Sequence, residues 1–155
     1  MNAATKEQYV FHYLTLIDME RARRSIEYLR SATEPHLQEA LFRDAVVCYA
    51  KAFSGNKNLA GKNVLRIEES FVPSALDNQH KEIKTLRNTI VAHVDLDKQA
   101  PEVTVYEING RKKVSFGVKG YERLFTSHLI DPLDSLAAHA HAFCMRKLEA
   151  IESAA

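Results

Sequence analysis

The stretch DPLDSLAAHAHAFCMRKLEAI, residues 131–151, decides the fold class of this chain. Its apolar side chains recur at spacings of three and four residues, the period of one face of an α-helix. They are Leu133, Leu136, Ala137, Ala140, Phe143, Cys144, Leu148 and Ile151. Asp131 is placed to cap this helix and Pro132 to occupy its first position. The pattern leaves open whether the helix starts there or continues, kinked at Pro132, from a short helix over 121–128.

Three earlier segments repeat the helical pattern. Stripes of apolar residues predict helices over about 5–31, 35–53 and 74–94, separated by Pro35, Gly55 and the Val72-Pro73 region. Between the second and third helices, Val64, Leu65 and Ile67 predict a short helical turn over the core. Because most connections are short, the helices are expected to pack antiparallel.

Residues 103–118 interrupt this helical pattern. Two alternating segments, VTVYEI and KVSFGV, flank Asn109-Gly110, the strongest short signal for a β-hairpin turn. A lone hairpin is barely stable, so it is expected to lie against the helices. The predicted fold class is all-α: an antiparallel four-helix bundle with a small β-hairpin insert near residues 103–118. A length of 155 residues predicts one domain, 1–155.

Composition narrows the possible functions. The chain is 46% hydrophobic and 26% charged, as in globular proteins. Because its net charge is only +1, the protein as a whole is not a polycation, and any affinity for nucleic acid must come from a local basic patch. The sequence contains no run of about 18 apolar residues, so no membrane span is predicted, and the N-terminal residues do not have the pattern of a secretory signal. Cys48 and Cys144 lie on apolar stripes without a CxxC pattern, which predicts reduced core thiols and a cytoplasmic location.

Several polar clusters are candidate sites. His139 and His141 diverge by about 200° on a helix and cannot hold one metal ion, and there is no Gly-rich phosphate loop, so we predict no metal and no cofactor. The arginines of the first helix predict a solvated face with intrahelical ion pairs, or else a phosphate site. Arg111, Lys112 and Lys113 at the hairpin tip, near Tyr106 and Phe116, predict either an RNA contact or a solubilising turn.

The decapeptide LRNTIVAHVD, residues 86–95, carries the most specific chemistry. RNA contains its own nucleophile, the 2′-hydroxyl, and cleaving it needs a base active near neutral pH and a cation beside the phosphoryl oxygens. His93 suits the first role and Arg87 the second, while the amide of Asn88 can hold a phosphate oxygen. The alternative is an ordinary helix end with local hydrogen bonds.

Helix geometry limits this arrangement. At about 100° per residue, His93 lies some 120° around a straight helix from Arg87. One helix therefore does not point the three groups at one spot. Either the helix loosens near His93, or a second copy of the chain completes the site.

The pattern Arg-Asn-x-x-x-Ala-His, with Asp95 two residues later, resembles the HEPN family (higher eukaryotes and prokaryotes nucleotide-binding), including its abortive-infection type. The layout is similar over most of residues 5–152, but the specific signal is confined to residues 86–95. The resemblance implies a metal-independent endoribonuclease of toxin or phage-defence type. In it Arg87, Asn88 and His93 would line a cleft between the protomers of a homodimer, and Asp95 would either orient His93 or simply end the helix.

The resemblance also implies an alternative, because some HEPN proteins have lost catalysis. Such a helical module would bind a nucleotide or a protein partner, for example a nucleotidyltransferase antitoxin. The expected partners are therefore a second copy, an RNA substrate and a possible antitoxin protein, and no membrane.

Overall fold

The computed structural model describes residues 2–57, 64–91, 102–117 and 126–154. Most of these residues are helical. The four α-helices of this part of the chain are α1 (Ala3–Ser31), α2 (Pro35–Lys51), α3 (Asp77–Val91) and α4 (Ile130–Ser153). Two small antiparallel sheets accompany them, β1 (Asn56–Lys57) with β2 (Val64–Leu65) and β3 (Glu102–Ile108) with β4 (Arg111–Gly117). The all-α class with a hairpin is confirmed.

Local sequence explains where the helices begin. The side chain of Asn2 accepts a hydrogen bond of 2.9 Å from the Thr5 amide, which caps α1. Pro35 stands at the start of α2, where its missing N–H costs no intrahelical bond. Helix α4 begins at Ile130, two residues before Pro132, and follows a 3₁₀ turn over Ser127–Leu129. The proline thus sits in the first turn and needs no kink. The prediction that Asp131 caps this helix was wrong, because Asp131 is its second residue and Leu129 precedes the helix without a side-chain cap. Residues 121–125 lie outside the described part of the chain.

Apolar stripes from all four helices meet in one core. Its fully buried large side chains include Met19 and Ile26 of α1, Phe42, Val46 and Tyr49 of α2, Ile83 of α3, and Leu133, Leu136 and Cys144 of α4. Cys48 and Cys144 are free buried thiols, and burial raises the pKa of each to about 11. The core cysteines are therefore as predicted.

Ion pairs across helix boundaries report the helix directions. Arg30, at the end of α1, bonds Asp131 near the start of α4 at 2.8 Å, while Tyr9 near the start of α1 donates to Glu152 near the end of α4. Lys51, at the end of α2, pairs with Asp18 of α1 at 2.8 Å, and Asp44, earlier in α2, pairs with Arg21, later in α1. Both α2 and α4 therefore run antiparallel to α1.

The arginines of α1 correct one expectation. Arg21 pairs with Asp44 of α2, and Arg23 and Arg30 both pair with Asp134 of α4. These are contacts between helices, so the prediction of an intrahelical ion-pair face was wrong. The spacing of charges along α1 suggested local partners, but carboxylates on the neighbouring helices lie closer to the guanidinium groups.

The connection between α2 and α3 also differs from the sequence-based expectation. Val64 and Leu65 form β2 and pair with Lys57 and Asn56, so the predicted helical turn was wrong. Ile67 is nevertheless buried, and its amide donates to the carbonyl of Ala52 at 3.0 Å. An extended segment buries this apolar side chain as well as a helical turn would. Short 3₁₀ turns at Glu69–Phe71 and Ser74–Leu76 then lead into α3.

The hairpin forms where predicted but is not packed as predicted. Asn109 and Gly110 have φ of +52° and +73°, the left-handed pair that a two-residue hairpin turn requires. The side chains of residues 103–115 are all exposed. The expectation that this ribbon lies against the bundle was therefore wrong for residues 103–115, whose side chains are exposed on both faces.

A pair of leucine substitutions tests the position of the core. Leu136→Ala removes a fully buried side chain and should lower the free energy of unfolding by about 2–5 kcal/mol. Leu14→Ala makes the same chemical change on the exposed side of α1 and should alter it by less than about 0.5 kcal/mol. Urea denaturation followed by circular dichroism measures both. Equal losses would contradict the assignment of these two leucines to core and surface.

Candidate functional site

Helix α3 presents Arg87 and Asn88 near its C-terminal end. Its inward stripe runs through His80 and Ile83, both fully buried, to Leu86 and Arg87, which are half-buried. Arg87 comes seven residues after His80, so the two lie on the same face, two turns apart. Asn88 is one position further round the helix and is exposed. The arginine therefore emerges from the edge of the core and the amide stands beside it in solvent.

The guanidinium group of Arg87 has an unused donor. Its Nη1 donates to Oδ1 of Asn88 at 3.2 Å, which brings the two predicted residues together. Its Nε is buried and has no hydrogen-bond acceptor among the described residues. A buried charged donor without an acceptor is costly, and Nε of Arg43 on α2 is in the same state, so this feature is not peculiar to Arg87. The terminal N–H groups of Arg87 are the donors that suit phosphate oxygens.

Two other predicted site residues, the catalytic His93 and the binding residue Asp95, fall on the part of the chain that is not described. His93 and Asp95 lie outside the described residues, as do Ala92 and the rest of 92–101. Two of the three expected catalytic groups, Arg87 and Asn88, are thus located and lie in contact.

The basic residues of the hairpin lie on a different element from Arg87. Arg111, Lys112 and Lys113 are consecutive in β4 and all exposed. In the strand register Arg111 pairs with Ile108, Lys112 with Glu107, and Lys113 with Tyr106. Since successive strand residues point to opposite faces, Arg111 and Lys113 share the face of Tyr106, whereas Lys112 shares the face of Glu107. The basic run is split and does not form one patch.

Sequence reasoning missed a polar network inside the core. The hydroxyl of Tyr49 on α2 lies 2.7 Å from Nδ1 of His80 on α3. On the other side of the ring, Nε2 lies 3.3 Å from Oε2 of Glu69, at ion-pair distance without hydrogen-bond alignment. Lys84 in turn bonds the second carboxylate oxygen of Glu69. The network links the loop before α3 to both α2 and α3.

Burial sets the protonation states of this network. It lowers the pKa of His80, chiefly through desolvation of the charged ring, and Glu69 opposes that effect only in part. It raises the pKa of the Tyr49 hydroxyl. The bond from Lys84 lowers the pKa of Glu69. A neutral His80 that accepts from Tyr49 and turns its Nε2–H toward Glu69 satisfies these conditions. With a side chain only 1% exposed, His80 cannot reach a substrate, and its role is structural.

Other histidines are accounted for by local contacts. His12 is buried beside Phe11 and Phe143, and its pKa is lowered by desolvation and then by Lys147. His139 bonds the Ser135 carbonyl at 2.8 Å, whereas His141 lies 3.4 Å from Glu20 of α1. His139 and His141 therefore contact different groups, as their spacing of two residues on a helix predicted. Within 2–57, 64–91, 102–117 and 126–154, no group of three or more His, Cys, Asp or Glu side chains could hold a metal ion.

Alternative Arg–His spacings have other partners. Arg30 is held by Asp131 and Asp134, and His128 lies 3.2 Å from Glu82. Arg123 lies outside the described residues. Arg30 therefore already has its anions, whereas Arg87 has no carboxylate partner among the described residues.

The chain matches no family model, no curated protein and no solved structure. Function is therefore inferred from the chemistry of named residues, since a helical bundle by itself serves many functions. No helix in the described part of the chain has the length and apolar character needed to cross a membrane.

The buried histidine predicts a pH-dependent stability. An unfolded histidine binds a proton near pH 6.5, but the folded-state pKa of His80 lies lower, so protonation favours the unfolded chain. The free energy of unfolding should be highest above about pH 6.5 and should fall as the pH drops from there toward the folded-state pKa. Urea titrations at pH 7.5 and 5.5 measure this difference for wild type and His80→Gln.

The variant separates His80 from His12, whose pKa shift has the same direction. His80→Gln should reduce the difference in the free energy of unfolding between pH 7.5 and pH 5.5. Adding His12→Gln should reduce the part of this difference that is left. If wild type and His80→Gln lose stability equally on acidification, His80 is not the group that titrates.

Proposed function

We propose that this protein is a metal-independent endoribonuclease of the HEPN type, acting in toxin or phage-defence systems. The observation that carries the proposal is the contact between Arg87 and Asn88: the guanidinium group emerges half-buried at the edge of the core, and its Nη1 donates to Oδ1 of Asn88. Because Nε is buried, the terminal N–H groups of this side chain are the ones that would bind a phosphodiester. The adjacent Arg-Asn pair, with a histidine six residues after the arginine, is the pattern that resembles the family.

The proposed reaction uses groups of the chain and of the substrate. His93 removes the proton of the ribose 2′-hydroxyl, and the oxygen attacks the adjacent phosphorus. Arg87 stabilises the charge that develops on the phosphoryl oxygens, and Asn88 orients the phosphate. The bond to the 5′-oxygen breaks, that oxygen takes a proton, and the upstream product ends in a 2′,3′-cyclic phosphate.

A second copy of the chain is part of the proposal. Helical geometry separates Arg87 and His93 by about 120° on one straight helix, so two facing α3 segments can assemble what one cannot. A two-fold homodimer would place each copy's arginine near the other copy's segment. The exposed hairpin cations Arg111 and Lys113, on the same face as Tyr106, would extend the contact with RNA.

Substitutions in α3 and the residues after it test the catalytic roles. Arg87→Ala should lower the cleavage rate by about 10²–10³-fold, since it removes a donor to the developing charge. His93→Ala should lower it by about 10²–10⁴-fold through loss of the base. Asn88→Ala should have a smaller effect. Single-turnover cleavage of a labelled RNA gives each rate.

Arg24→Ala and His128→Ala are matched controls, because both residues are exposed and neither belongs to the proposed site. Each should cleave like wild type. Circular dichroism must show unchanged helix content in every variant. Full activity in Arg87→Ala, or inactivity of well-folded wild type on all RNAs, would refute the proposed ribonuclease.

The nucleophile and the absence of a metal requirement give a separate test. Replacing the ribose at the cleaved position with deoxyribose removes the attacking hydroxyl and should abolish cleavage there. Excess chelator should leave the rate on all-ribose RNA unchanged, because His93 and Arg87 supply the base and the cation. A denaturing gel of the two substrates, with and without chelator, reads out both effects. Cleavage that needs magnesium, or that continues at the deoxy position, would exclude this mechanism.

A non-catalytic docking module is the second candidate function, and one surface favours it. Val10, Leu14 and Ile17 form an exposed apolar stripe on α1. The first two line a hollow of about 430 Å³ that reaches the end of α2. This surface is separate from Arg87 and suits a protein partner, such as an antitoxin, rather than RNA. Wild type that never cleaves RNA would favour this candidate.

A further inference from the structure

The ribbon formed by β3 and β4 has two chemically different faces. Directly paired residues of an antiparallel ribbon share a face, and successive pairs alternate. Val105 pairs with Val114, Val103 with Phe116, and, nearer the tip, Glu107 with Lys112. We call the side that carries Val103, Val105, Glu107, Lys112 and Val114 the valine face. Thr104, Tyr106, Ile108, Arg111, Lys113 and Ser115 form the outer face.

The valine face lacks the cover that its composition calls for. Val103, Val105 and Val114 are 63%, 60% and 69% exposed. β-branched side chains stabilise a sheet by packing, and a two-stranded ribbon without such packing is marginal in water. Removing three adjacent valines from solvent is therefore a strong driving force for association.

We infer that the valine face packs on the valine face of a second copy, about a two-fold axis parallel to the ribbon. Such an axis keeps both tips at the same end and lays β3 of each copy over β4 of the other. Val105 then faces the partner's Val114, in a layer spaced about 10 Å as between packed sheets. At the tip, Glu107 faces the partner's Lys112, and Lys112 faces the partner's Glu107.

The charges select this axis over its alternative. A two-fold axis across the ribbon would lay the tip of one copy over the base of the other and would place Glu107 and Lys112 over the apolar positions 103 and 116. Burying charges against apolar groups is unfavourable. The parallel axis instead gives two reciprocal ion pairs at the tip and apolar contacts behind them. The face is thus complementary to itself, as a two-fold interface requires.

The ribbon also has the right position in the chain to assist the proposed site. Glu102 begins β3 eleven residues after Val91, which ends α3. The ribbon face is smaller than the roughly 800 Å² per partner of a stable interface, so it supplements contact between α3 segments. This inference rests on the proposed function for the use of the dimer, but its test measures mass and needs no RNA.

Charge reversal at the tip provides the test. Light scattering of wild type should give a dimer, twice 17.6 kDa. Glu107→Lys places a positive charge over the partner's Lys112, and Lys112→Glu places a negative charge over the partner's Glu107. Each variant alone should dimerise about tenfold or more weakly, because like charges then face each other across the interface. An equimolar mixture of the two variants should recover the dimer.

The mixture separates contacts between copies from contacts within one. Each variant retains like charges within its own ribbon, so recovery on mixing can come only from a doubly positive tip that faces a doubly negative tip. Lys113→Glu makes the same charge change one residue further along, on the outer face, and should leave the mass unchanged. Circular dichroism checks that the helices of all variants remain folded.

Three results would overturn the inference: a monomeric wild type, a dimer that both tip variants leave unchanged, or no recovery in the mixture. A wild-type dimer that shows all the expected shifts but cleaves no RNA would instead leave the ribbon interface standing and refute the ribonuclease.

Discussion

The hydrogen bond between the Tyr49 hydroxyl and His80 Nδ1 fixes the helix that carries the candidate site. Among its described side chains, α3 buries only His80 and Ile83 completely. An imidazole in an apolar core without a partner would cost about 1–3 kcal/mol, so the 2.7 Å bond to α2 decides whether this helix can turn that face inward. Because Arg87 lies on the same stripe, its emergence at the core edge depends on the same bond.

The network also shows why the arginine, and not the histidine beside the core, is the candidate reactive group. His80 has a tyrosine on one nitrogen and a carboxylate near the other, and it is shielded from solvent. Arg87 has an amide neighbour and a buried donor without an acceptor in the described part of the chain. Buried polar groups are normally satisfied, and Nε of Arg43 departs from that rule as Nε of Arg87 does. What distinguishes Arg87 is its contact with the adjacent Asn88 at the exposed end of α3.

Periodicity predicted what depends on neighbours along the chain. The stripes of α1, α2 and α4, the proline at the start of α2 and the Asn109-Gly110 turn all follow local rules and were confirmed. Packing between distant segments did not follow from them. The residues Val64 and Leu65 are compatible with either a helical turn or a strand. Their pairing with Lys57 and Asn56 makes this segment a strand. Glu69 belongs to a loop, so no spacing linked it to His80.

In the candidate site, the sequence pattern identified Arg87 and Asn88. Their side chains are in contact because the two residues are adjacent in helix α3. The pattern could not show that Nε of Arg87 would be buried without an acceptor, because this depends on how α3 packs. The split of Arg111, Lys112 and Lys113 could have been read from the hairpin turn, since a two-residue loop fixes the register and hence the faces.

The hairpin register gives one short segment two separate tasks in the proposed assembly. Alternation sends the valines with Glu107 and Lys112 to one side, and Tyr106 with Arg111 and Lys113 to the other. If the first side is buried against a second copy, the second side must face outward on both copies. Pairing then makes the ribbons rigid and presents two sets of cations and aromatic rings related by the same axis as the two Arg87 side chains. An RNA strand that reaches the paired site would meet these outer faces without competing for the valines, because the two functions use opposite sides of a single backbone ladder.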